Sequence, residues 1–330
     1  MILAGDIGGT NARLAFFEVE AGSLKQVAES IFPSRQHNGL EAIVAAFIAQ
    51  QKQSPQMACF GIAGPVVNGR VETSNLPWII ETSKLQSELK IDAVRLINDL
   101  EANAWCIGAL AESDLVSLNP SKKSATGNQA VISAGTGLGE AGVYWDGQRH
   151  HVFACEGGHS DFAPRNDLEI QLLKYLIARF GHVSYERILS GPGLVNVFHF
   201  LRDTGHGKGS AAVLEQMEKG DPAAAISRAA LEGSCALCEE ALDVFVSIYG
   251  AETGNLALKI MAIGGIFLGG GIAPKILTKL KGPLFMEAFR AKGRMQRLLE
   301  AIPVSVITND KTALLGAARC ATVTFSDTSH

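Results

Sequence analysis

Short apolar runs that end at glycine or polar residues alternate with helical patterns along the first part of this chain. Runs of this kind predict strands. The predicted strands are residues 2–5, 12–19, 24–32, 57–62 and 93–97. Helices are predicted from residue 38, where Asn38 is the N-cap, over 83–90 and over 99–110. The order is therefore three consecutive strands, followed by alternating helices and strands.

The second part of the chain repeats this order of elements. Strands are predicted at 130–134, 141–145, 151–155, 265–268 and 304–307. A long helical insert covers about 167–261, further helices lie near 274–280 and at 311–321, and residues 322–330 show no pattern. A meander of three strands is antiparallel, whereas the later strands need crossover connections, so each half predicts a mixed sheet.

The length of 330 residues favours two domains. The predicted small domain consists of residues 1–108 together with 308–330, because the final helix returns to it. The large domain consists of residues 109–307 and contains the helical insert. We expect both domains to be of the α/β class.

Composition and charge narrow the functional classes. The net charge is −4 with a pI near 6.1, which argues against a nucleic-acid partner, since that would need a basic face. The first strand begins at residue 2, which leaves no room for a signal peptide, and the least polar stretch, 260–274, is too short and too glycine-rich to span a membrane. The six cysteines are scattered and predict free thiols and a cytoplasmic location.

One cysteine pair has a spacing that could suit zinc or redox chemistry. Cys235 and Cys238 form a Cys-x-x-Cys sequence inside a helical pattern at 223–249. No second pair and no neighbouring histidine accompany them, so the favoured interpretation is two buried core cysteines.

A glycine-rich turn joins the first two predicted strands. Its residues are Gly5, Asp6, Ile7, Gly8, Gly9 and Thr10. Glycines let backbone N–H groups approach a ligand closely, and the aspartate and threonine add a metal-facing carboxylate and a hydroxyl. This combination suits a nucleotide phosphate with Mg²⁺. The alternative is a tight hairpin turn with no ligand.

A second glycine turn occupies the equivalent place in the second half. It contains Gly135, Thr136 and Gly137, and a third glycine cluster, Gly269, Gly270 and Gly271, follows the strand at 265–268. Two such turns facing each other across a cleft would hold one polyphosphate from both sides, which favours the nucleotide site over two plain hairpins.

Asp99 is the candidate catalytic base. It follows the strand at 93–97, at the point where a helix begins, and open α/β sheets bind ligands at such strand ends. On sequence grounds alone, Asp99 or the adjacent Asn98 could instead be a helix N-cap.

The motifs taken together resemble those of the actin-like sugar kinase superfamily, and within it the bacterial glucokinases of the proteobacterial and cyanobacterial type. The matching segments are 5–13, 97–99, 135–139, 156–164, 181–193 and 268–274. The resemblance implies two actin-like (ribonuclease H-like) lobes with mixed sheets that flank a deep cleft. It implies an ATP-dependent phosphorylation of glucose at the 6-hydroxyl, the first step of glycolysis, and a homodimer.

The resemblance also implies roles for individual residues. Asp99 would take the proton of the sugar hydroxyl. Asn98, Glu156, His159 and Glu186 would bind the sugar with it. The nucleotide would lie on Gly5 to Thr10, Thr136, Gly137 and Gly269 to Gly271, and Asp6 would reach Mg²⁺, through water. Glu156 and His159 could instead form a metal pair, but the two glycines between them and the lack of a third ligand at a standard spacing argue against it.

Three other functional classes are less well supported. The sequence Gly137-x-Gly139-x-x-Gly142 fits a dinucleotide fingerprint, but a strand follows it where a helix is needed. A sugar-sensing repressor would carry a DNA-binding domain before the first glycine turn, but this turn already begins at Gly5. An actin-like filament protein would not need the sequences that we assign to the sugar site. Glu140 departs from the expected pattern because it is acidic beside a phosphate turn, and we interpret it as a strand residue that faces solvent.

Overall fold

The computed structural model describes residues 1–20, 23–73, 76–119 and 125–326. The strands are β1 (Ile2–Ile7), β2 (Asn11–Glu20), β3 (Ser23–Pro33), β4 (Met57–Ile62), β5 (Arg70–Glu72), β6 (Ile79–Glu81), β7 (Ala93–Asn98), β8 (Leu115–Ser117), β9 (Gln129–Ala134), β10 (Leu138–Trp145), β11 (His150–Cys155), β12 (Gly265–Gly269) and β13 (Val304–Ile307). The helices are α1 (Leu40–Gln51), α2 (Thr82–Leu89), α3 (Asp99–Cys106), α4 (Asp167–Phe180), α5 (Gly191–Asp203), α6 (Ala211–Lys219), α7 (Pro222–Leu231), α8 (Ala236–Ile260), α9 (Leu277–Leu280), α10 (Pro283–Arg290), α11 (Gln296–Ala301) and α12 (Thr312–Ser326).

The chain divides into two compact units. Unit 1 consists of Met1–Ser113 and Asn309–His330, and unit 2 consists of Asp114–Thr308. The sheet of unit 1 has the order β3-β2-β1-β4-β7. Strands β1, β2 and β3 are antiparallel neighbours, whereas β1, β4 and β7 run parallel.

Unit 2 repeats this topology. Its sheet has the order β11-β10-β9-β12-β13-β8. Strands β9, β10 and β11 form the antiparallel meander, and β12 and β13 continue the sheet in parallel from β9. The short strand β8 adds an antiparallel edge beside β13. The predicted α/β class with a mixed sheet in each half is confirmed.

Helices cover both faces of the sheet in unit 1. Helix α1 packs on one face, where Phe47 stacks on Phe16 of β2 with ring centroids 4.8 Å apart. Helices α3 and α12 pack on the other face, where Ala102 and Leu314 join Cys59 and other buried side chains of the sheet. In unit 2 the long helix α8 is buried along much of its length against the sheet.

Helices α3 and α12 approach each other unusually closely. A Cβ at Gly316 of α12 would overlap the carbonyl oxygen of Ala102 in α3. The hydroxyl of Thr312 is hydrogen-bonded to the side-chain oxygen of Asn103, and the Asn103 amide donates to the carbonyl oxygen of Asp99 at 3.0 Å. Helix α12 therefore contacts α3 at Ala102 and Asn103, and Asn103 in turn bonds to the first residue of α3, Asp99.

Several predicted boundaries are wrong. The first helix begins after Gly39 and has no side-chain cap, so Asn38 is not its N-cap. The helix predicted over 99–110 ends at Cys106 and continues only as a short 3-10 turn. The helical pattern at 223–249 contains two helices, α7 and α8, and Cys235 is the N-cap of the second. Glycine at 233 has a positive φ and stands in the break between them.

Other elements were not predicted at all. Strands β5, β6 and β8 have three residues each and carry no recognisable period. Helices α10 and α11 were missed, and α12 extends five residues past Ala321 to Ser326, although residues 322–330 were expected to lack a pattern. The part of that tail after residue 326 lies outside the described residues.

Candidate active site

The carboxyl ends of three parallel strands lie in line at one edge of the sheet in unit 1. Ile7 at the end of β1 is the register partner of Ile62 at the end of β4, and Ile62 is the partner of Asn98 at the end of β7. The first glycine turn and the Asn98-Asp99 pair therefore leave the sheet at the same edge. That is where ligands bind in open α/β sheets.

The first glycine turn is held by a hydrogen bond of its own backbone and by two hydrogen bonds from Ser34. The Gly8 N–H donates to the carbonyl oxygen of Asn11 at 3.0 Å, and the Ser34 hydroxyl donates to the carbonyl oxygen of Gly8 at 2.8 Å. The Ser34 N–H donates to the carbonyl oxygen of Thr10 at 2.9 Å. The Gly8 N–H is thus used inside the turn, while the side chain of Thr10 is exposed.

The residues before the turn are part of the strand. Gly5 and Ile7 are buried, and a side chain at Gly5 would press against Phe60 and Leu14, so packing alone accounts for that glycine. Asp6 is half-buried opposite Arg13 of β2. Burial raises the pKa of the Asp6 carboxyl, and the positive charge of Arg13 partly opposes that rise. A carboxylate that is costly to bury is stabilised by a nearby cation.

Asn98 and Asp99 begin helix α3 together. The Asn98 side-chain oxygen accepts from the Leu100 N–H at 2.8 Å and is the N-cap, while its amide donates to the carbonyl oxygen of Gly64 at 3.0 Å. One carboxylate oxygen of Asp99 also lies 2.9 Å from the Leu100 nitrogen. Gly61 of β4 allows α3 to pack close to the sheet, because a Cβ there would stand 2.9 Å from the Ala102 Cβ. The capping interpretation therefore holds for Asn98, and Asp99 occupies the first helical position.

The second glycine turn stands at the corresponding edge of unit 2. The Gly135 N–H donates to the carbonyl oxygen of Gly137 at 2.8 Å, and the N–H of Gly191 at the start of α5 donates to the carbonyl oxygen of Gly135 at 2.8 Å. The side chain of Thr136 between them is exposed. Here too a strand, a helix start and a glycine turn come together.

The third glycine cluster packs against the end of β9. Gly270 has φ +78°, and a Cβ there would overlap the carbonyl oxygen of Ala134, so only glycine fits. The N–H of Ile272 donates to that same oxygen at 3.2 Å. Turns follow this cluster, and the helix predicted near 274–280 begins only at Leu277. Gly269 and Gly271 lie beside Gly270 at the same sheet edge as the second glycine turn.

Glu156 and His159 stand on one short 3-10 turn. The His159 N–H donates to the carbonyl oxygen of Glu156 at 3.0 Å, and the Ser160 N–H donates to that of Gly157 at 3.0 Å. The two side chains are about three-fifths exposed, and Oε2 of Glu156 lies 3.9 Å from Nε2 of His159. They form a pair of polar groups that face outward from unit 2.

Glu186 belongs to the same local structure. Its Oε2 accepts from the Leu138 N–H at 3.0 Å, and a Cβ at Gly137 would overlap that oxygen. The N–H of Tyr185 donates to the carbonyl oxygen of Ser160 at 3.1 Å. The segment of Glu186 and the turn of Glu156 and His159 are therefore joined to each other and to the start of β10.

Glu140 does not face solvent, and that expectation is wrong. Only 1% of the residue is exposed. Glu140 lies on the side of β10 that is covered by α8 and by the turn at Gly157. The alternation of residues along β10 could not reveal this cover. Glu252 lies beside Glu140, and the amide of Asn255 donates to Glu252 and to the hydroxyl of Tyr185. The sequence did not single out these three residues, because each is an ordinary residue of a helix or turn.

Comparisons with known proteins identify the family of the chain. The sequence profile of the family described as Glucokinase matches residues 3–324. The chain belongs to the glucokinase family. A curated glucokinase from Nostoc sp. is 43% identical to it over 97% of this chain and 98% of the relative. The resemblance to bacterial glucokinases is thereby confirmed.

Solved structures of glucokinases have the same fold. The crystal structure of a glucokinase from an Antarctic psychrotroph is 32% identical, covers 98% of both chains and superposes with a TM-score of 0.86. A glucokinase of the ROK family from Streptomyces griseus, solved with glucose and AMPPNP, is 22% identical, covers 98% of this chain and 99% of its own, and gives a TM-score of 0.64. Because its identity is only 22%, the similarity to the Streptomyces griseus structure shows the fold alone. An enzyme of the glucokinase family phosphorylates glucose with ATP.

Proposed function

We propose that this chain transfers the γ-phosphoryl group of ATP to the 6-hydroxyl of glucose, with Asp99 as the base. The observation that carries the proposal is the alignment of Ile7, Ile62 and Asn98 at one sheet edge of unit 1, which gathers the glycine turn and Asp99 there. Phosphoryl transfer to a hydroxyl needs backbone N–H groups that bind the phosphates and a carboxylate that accepts the proton, close to each other.

The proposed reaction balances as a single displacement. The oxygen of the sugar hydroxyl forms a bond to the γ-phosphorus while the bond from that phosphorus to the β-phosphate oxygen breaks and ADP leaves. The hydroxyl proton passes to the Asp99 carboxylate. A carboxylate of ordinary basicity suffices, because the transition state is loose and the proton leaves late.

The remaining predicted residues are assigned to the two substrates. Asn98, Glu156, His159 and Glu186 would bind glucose hydroxyls, because amide, imidazole and carboxylate groups match groups that both donate and accept hydrogen bonds. Phosphate would be held by the N–H groups of Gly9 and Thr10, since that of Gly8 is engaged within its turn. Hydroxyls of Thr10 and Thr136 would add to it, and the nucleotide would lie on Gly137 and on Gly269 to Gly271.

The test is sugar-dependent release of ADP from ATP and Mg²⁺ by the purified chain. Glucose is expected to stimulate release strongly, and mannose and fructose less. The sugar product should be phosphorylated at the 6-position, which a coupled glucose 6-phosphate dehydrogenase assay reads directly. Absence of release with every hexose would contradict the proposal.

Asp6 is the residue that we assign to Mg²⁺. Its half-buried carboxyl fits a cation, and Mg²⁺ usually keeps several waters and binds one or two carboxylates plus substrate phosphates. Held by Asp6, the ion would supply positive charge that neutralises the negative charge developing on the phosphates during transfer. Among the described residues no group of three or more His, Cys, Asp or Glu could hold a metal ion.

Asp6→Asn is expected to raise the Mg²⁺ concentration for half-maximal rate about tenfold, because the variant loses the carboxylate charge and keeps its shape. Rates are measured against Mg²⁺ at fixed ATP, with Asp92→Asn, an exposed aspartate of the same unit, as the control. An unchanged Mg²⁺ dependence in Asp6→Asn would show that another group meets the metal.

The cellular setting follows from the same proposal. An enzyme that converts glucose and ATP to glucose 6-phosphate would act in the cytoplasm at the start of glycolysis. We expect a homodimer, with the surface of α4 to α8 in contact, which sedimentation of the purified chain tests. None of the helices in the described parts of the chain is long and apolar enough to cross a membrane.

A further inference from the structure

The turn that carries Glu156 and His159 rests directly on strand β10. A Cβ at Gly158 would overlap the carbonyl oxygen of Leu138, and a Cβ at Gly157 would overlap the carboxyl group of Glu140. Neither glycine has a positive φ. Close packing, and not backbone conformation, is therefore the reason for glycine at both positions. One support of the turn is backbone and the other is the side chain of Glu140.

Glu140 meets a second buried carboxyl group. Glu252 of α8 is completely buried and lies within hydrogen-bonding reach of Glu140. Ionised carboxylates only accept hydrogen bonds, so this contact requires a proton on one of the two. Oε1 of Glu140 has no hydrogen-bond partner among the described residues. Glu140 is therefore the member of the pair that lacks other donors.

The charge of Glu252 is well compensated. Its Oε1 accepts from the ammonium group of Lys259 at 3.1 Å, and its Oε2 accepts from the amide of Asn255 at 2.7 Å. The same amide donates to the hydroxyl of Tyr185 at 3.0 Å, next to Glu186 in the chain. The shared proton consequently belongs on Glu140, and the pair is connected to both segments that we assign to glucose.

The surroundings make Glu140 the group that changes charge near neutral pH. Burial, and after it the charge of Glu252, raise the pKa of Glu140 to about 8, although the charge of Lys259 opposes them. The charge of Glu140 acts in turn on two further titratable groups, Cys155 on β11 and Tyr249 on α8, and burial raises the pKa of both, so they stay neutral there. Glu156, at the start of the turn, acts on Cys155 from the solvent side.

We propose that Glu140 is a positioning residue of the glucose site: its carboxyl, joined to Glu252 by a shared proton, supports Gly157 and fixes the position of Glu156 and His159. The proposal rests on the function proposed above, in which those two side chains bind the sugar. Loss of the proton leaves two negative carboxylates in a buried space. We expect the turn at Gly157, which rests on Glu140, to move in response.

A double-mutant cycle tests the contact itself. Gly157→Ala is expected to weaken glucose binding about tenfold, because its new methyl group overlaps a buried carboxyl. In Glu140→Ala/Gly157→Ala most of that loss is recovered, since the nearest remaining atom of residue 140, its Cβ, stands 3.3 Å from the new methyl. Glucose Kd is measured by calorimetry without ATP. If the fold-increases in glucose Kd of Glu140→Ala alone and Gly157→Ala alone simply multiply in the double variant, the two residues do not interact and the proposal is overturned.

A pH series tests the shared proton with a variant that keeps the side-chain shape. Glu140→Gln stays neutral at every pH and can donate to Glu252. Between pH 7 and 9 the glucose Kd of the native chain should rise about tenfold, and that of Glu140→Gln should stay constant. Glu169→Gln is the control, because Glu169 is a buried carboxylate of the same unit whose charge is paired with Arg165. Equal pH profiles for the native chain and Glu140→Gln would contradict the proposal.

Stability gives an independent readout of the same proton. The pKa of Glu140 is raised from 4.5 to about 8 on folding, so the folded state binds an extra proton between those values. The stability of the native chain should therefore fall as pH rises through that window, whereas Glu140→Gln should not share this fall. A native chain that binds no glucose at any pH would contradict the proposed function. Glucose binding without coupling between residues 140 and 157 would contradict only the role of Glu140.

Discussion

Asp99→Asn is expected to lower kcat for glucose phosphorylation by about 10³-fold, within the range that general acid–base catalysis contributes. Asparagine keeps the shape of the side chain and can still hydrogen-bond a hydroxyl, but it cannot accept the proton. The KM for ATP and the Kd for glucose should change by no more than a few fold, because binding does not require proton transfer. Steady-state rates and calorimetry of glucose binding measure the two effects separately.

Glu101→Gln is the matched control for this substitution. Glu101 is a carboxylate two residues further along the same helix, half-buried and 3.8 Å from Arg95. Its amide variant should retain kcat within a few fold. A similar loss in both variants would indicate damage to α3, and an active Asp99→Asn would move the base to another residue.

Gly316→Ala is expected to destabilise unit 1 by about 3 kcal/mol, at the upper end of the cost of overpacking. The added methyl would overlap the carbonyl oxygen of Ala102, a backbone atom that no rotamer change can remove. Helices α3 and α12 would have to separate, and buried contacts of Cys59 and Leu314 would be lost. Thermal unfolding should show a fall in Tm of about 6 °C or more.

Gly207→Ala provides the control for that variant. Gly207 has no positive φ, and a Cβ there would lie 3.6 Å from Leu237, which is an ordinary contact distance. Its effect on stability should stay within about 0.5 kcal/mol. Equal Tm values for Gly316→Ala and the native chain would mean that α12 can shift without loss of packing.

The sequence predicted those parts of the fold whose pattern is local. Strands β4 and β13 have the predicted bounds, and the duplicated meander with parallel strands after it is present in both units. Three-residue strands such as β8 exist only because a partner strand lies beside them, so no local signal could mark them. The first helix begins one residue later than predicted, because Gly39 and not Asn38 is its N-cap.

The candidate site shows a similar division. Glycine turns and strand ends are sequence features, and the sequence was enough to place Asn98 and Asp99 at a helix start. Whether a strand residue faces core or solvent depends on what covers that face. Glu140 is buried because α8 and a turn remote from it in the chain close over β10, a contact that alternation along one strand does not contain.

The return of α12 to unit 1 has a consequence for synthesis of the chain. Ile2, Ala4 and Ile97 are packed against Leu314, Ala317 and Ala321, which are made only after all of unit 2. At about 5–20 residues per second, this face of the first sheet waits tens of seconds for its cover. The core of unit 2 comes from one continuous segment, whereas that of unit 1 needs two segments that have all of unit 2 between them. A nascent chain halted before residue 309 should therefore expose an apolar sheet that chaperones recognise and proteases cleave.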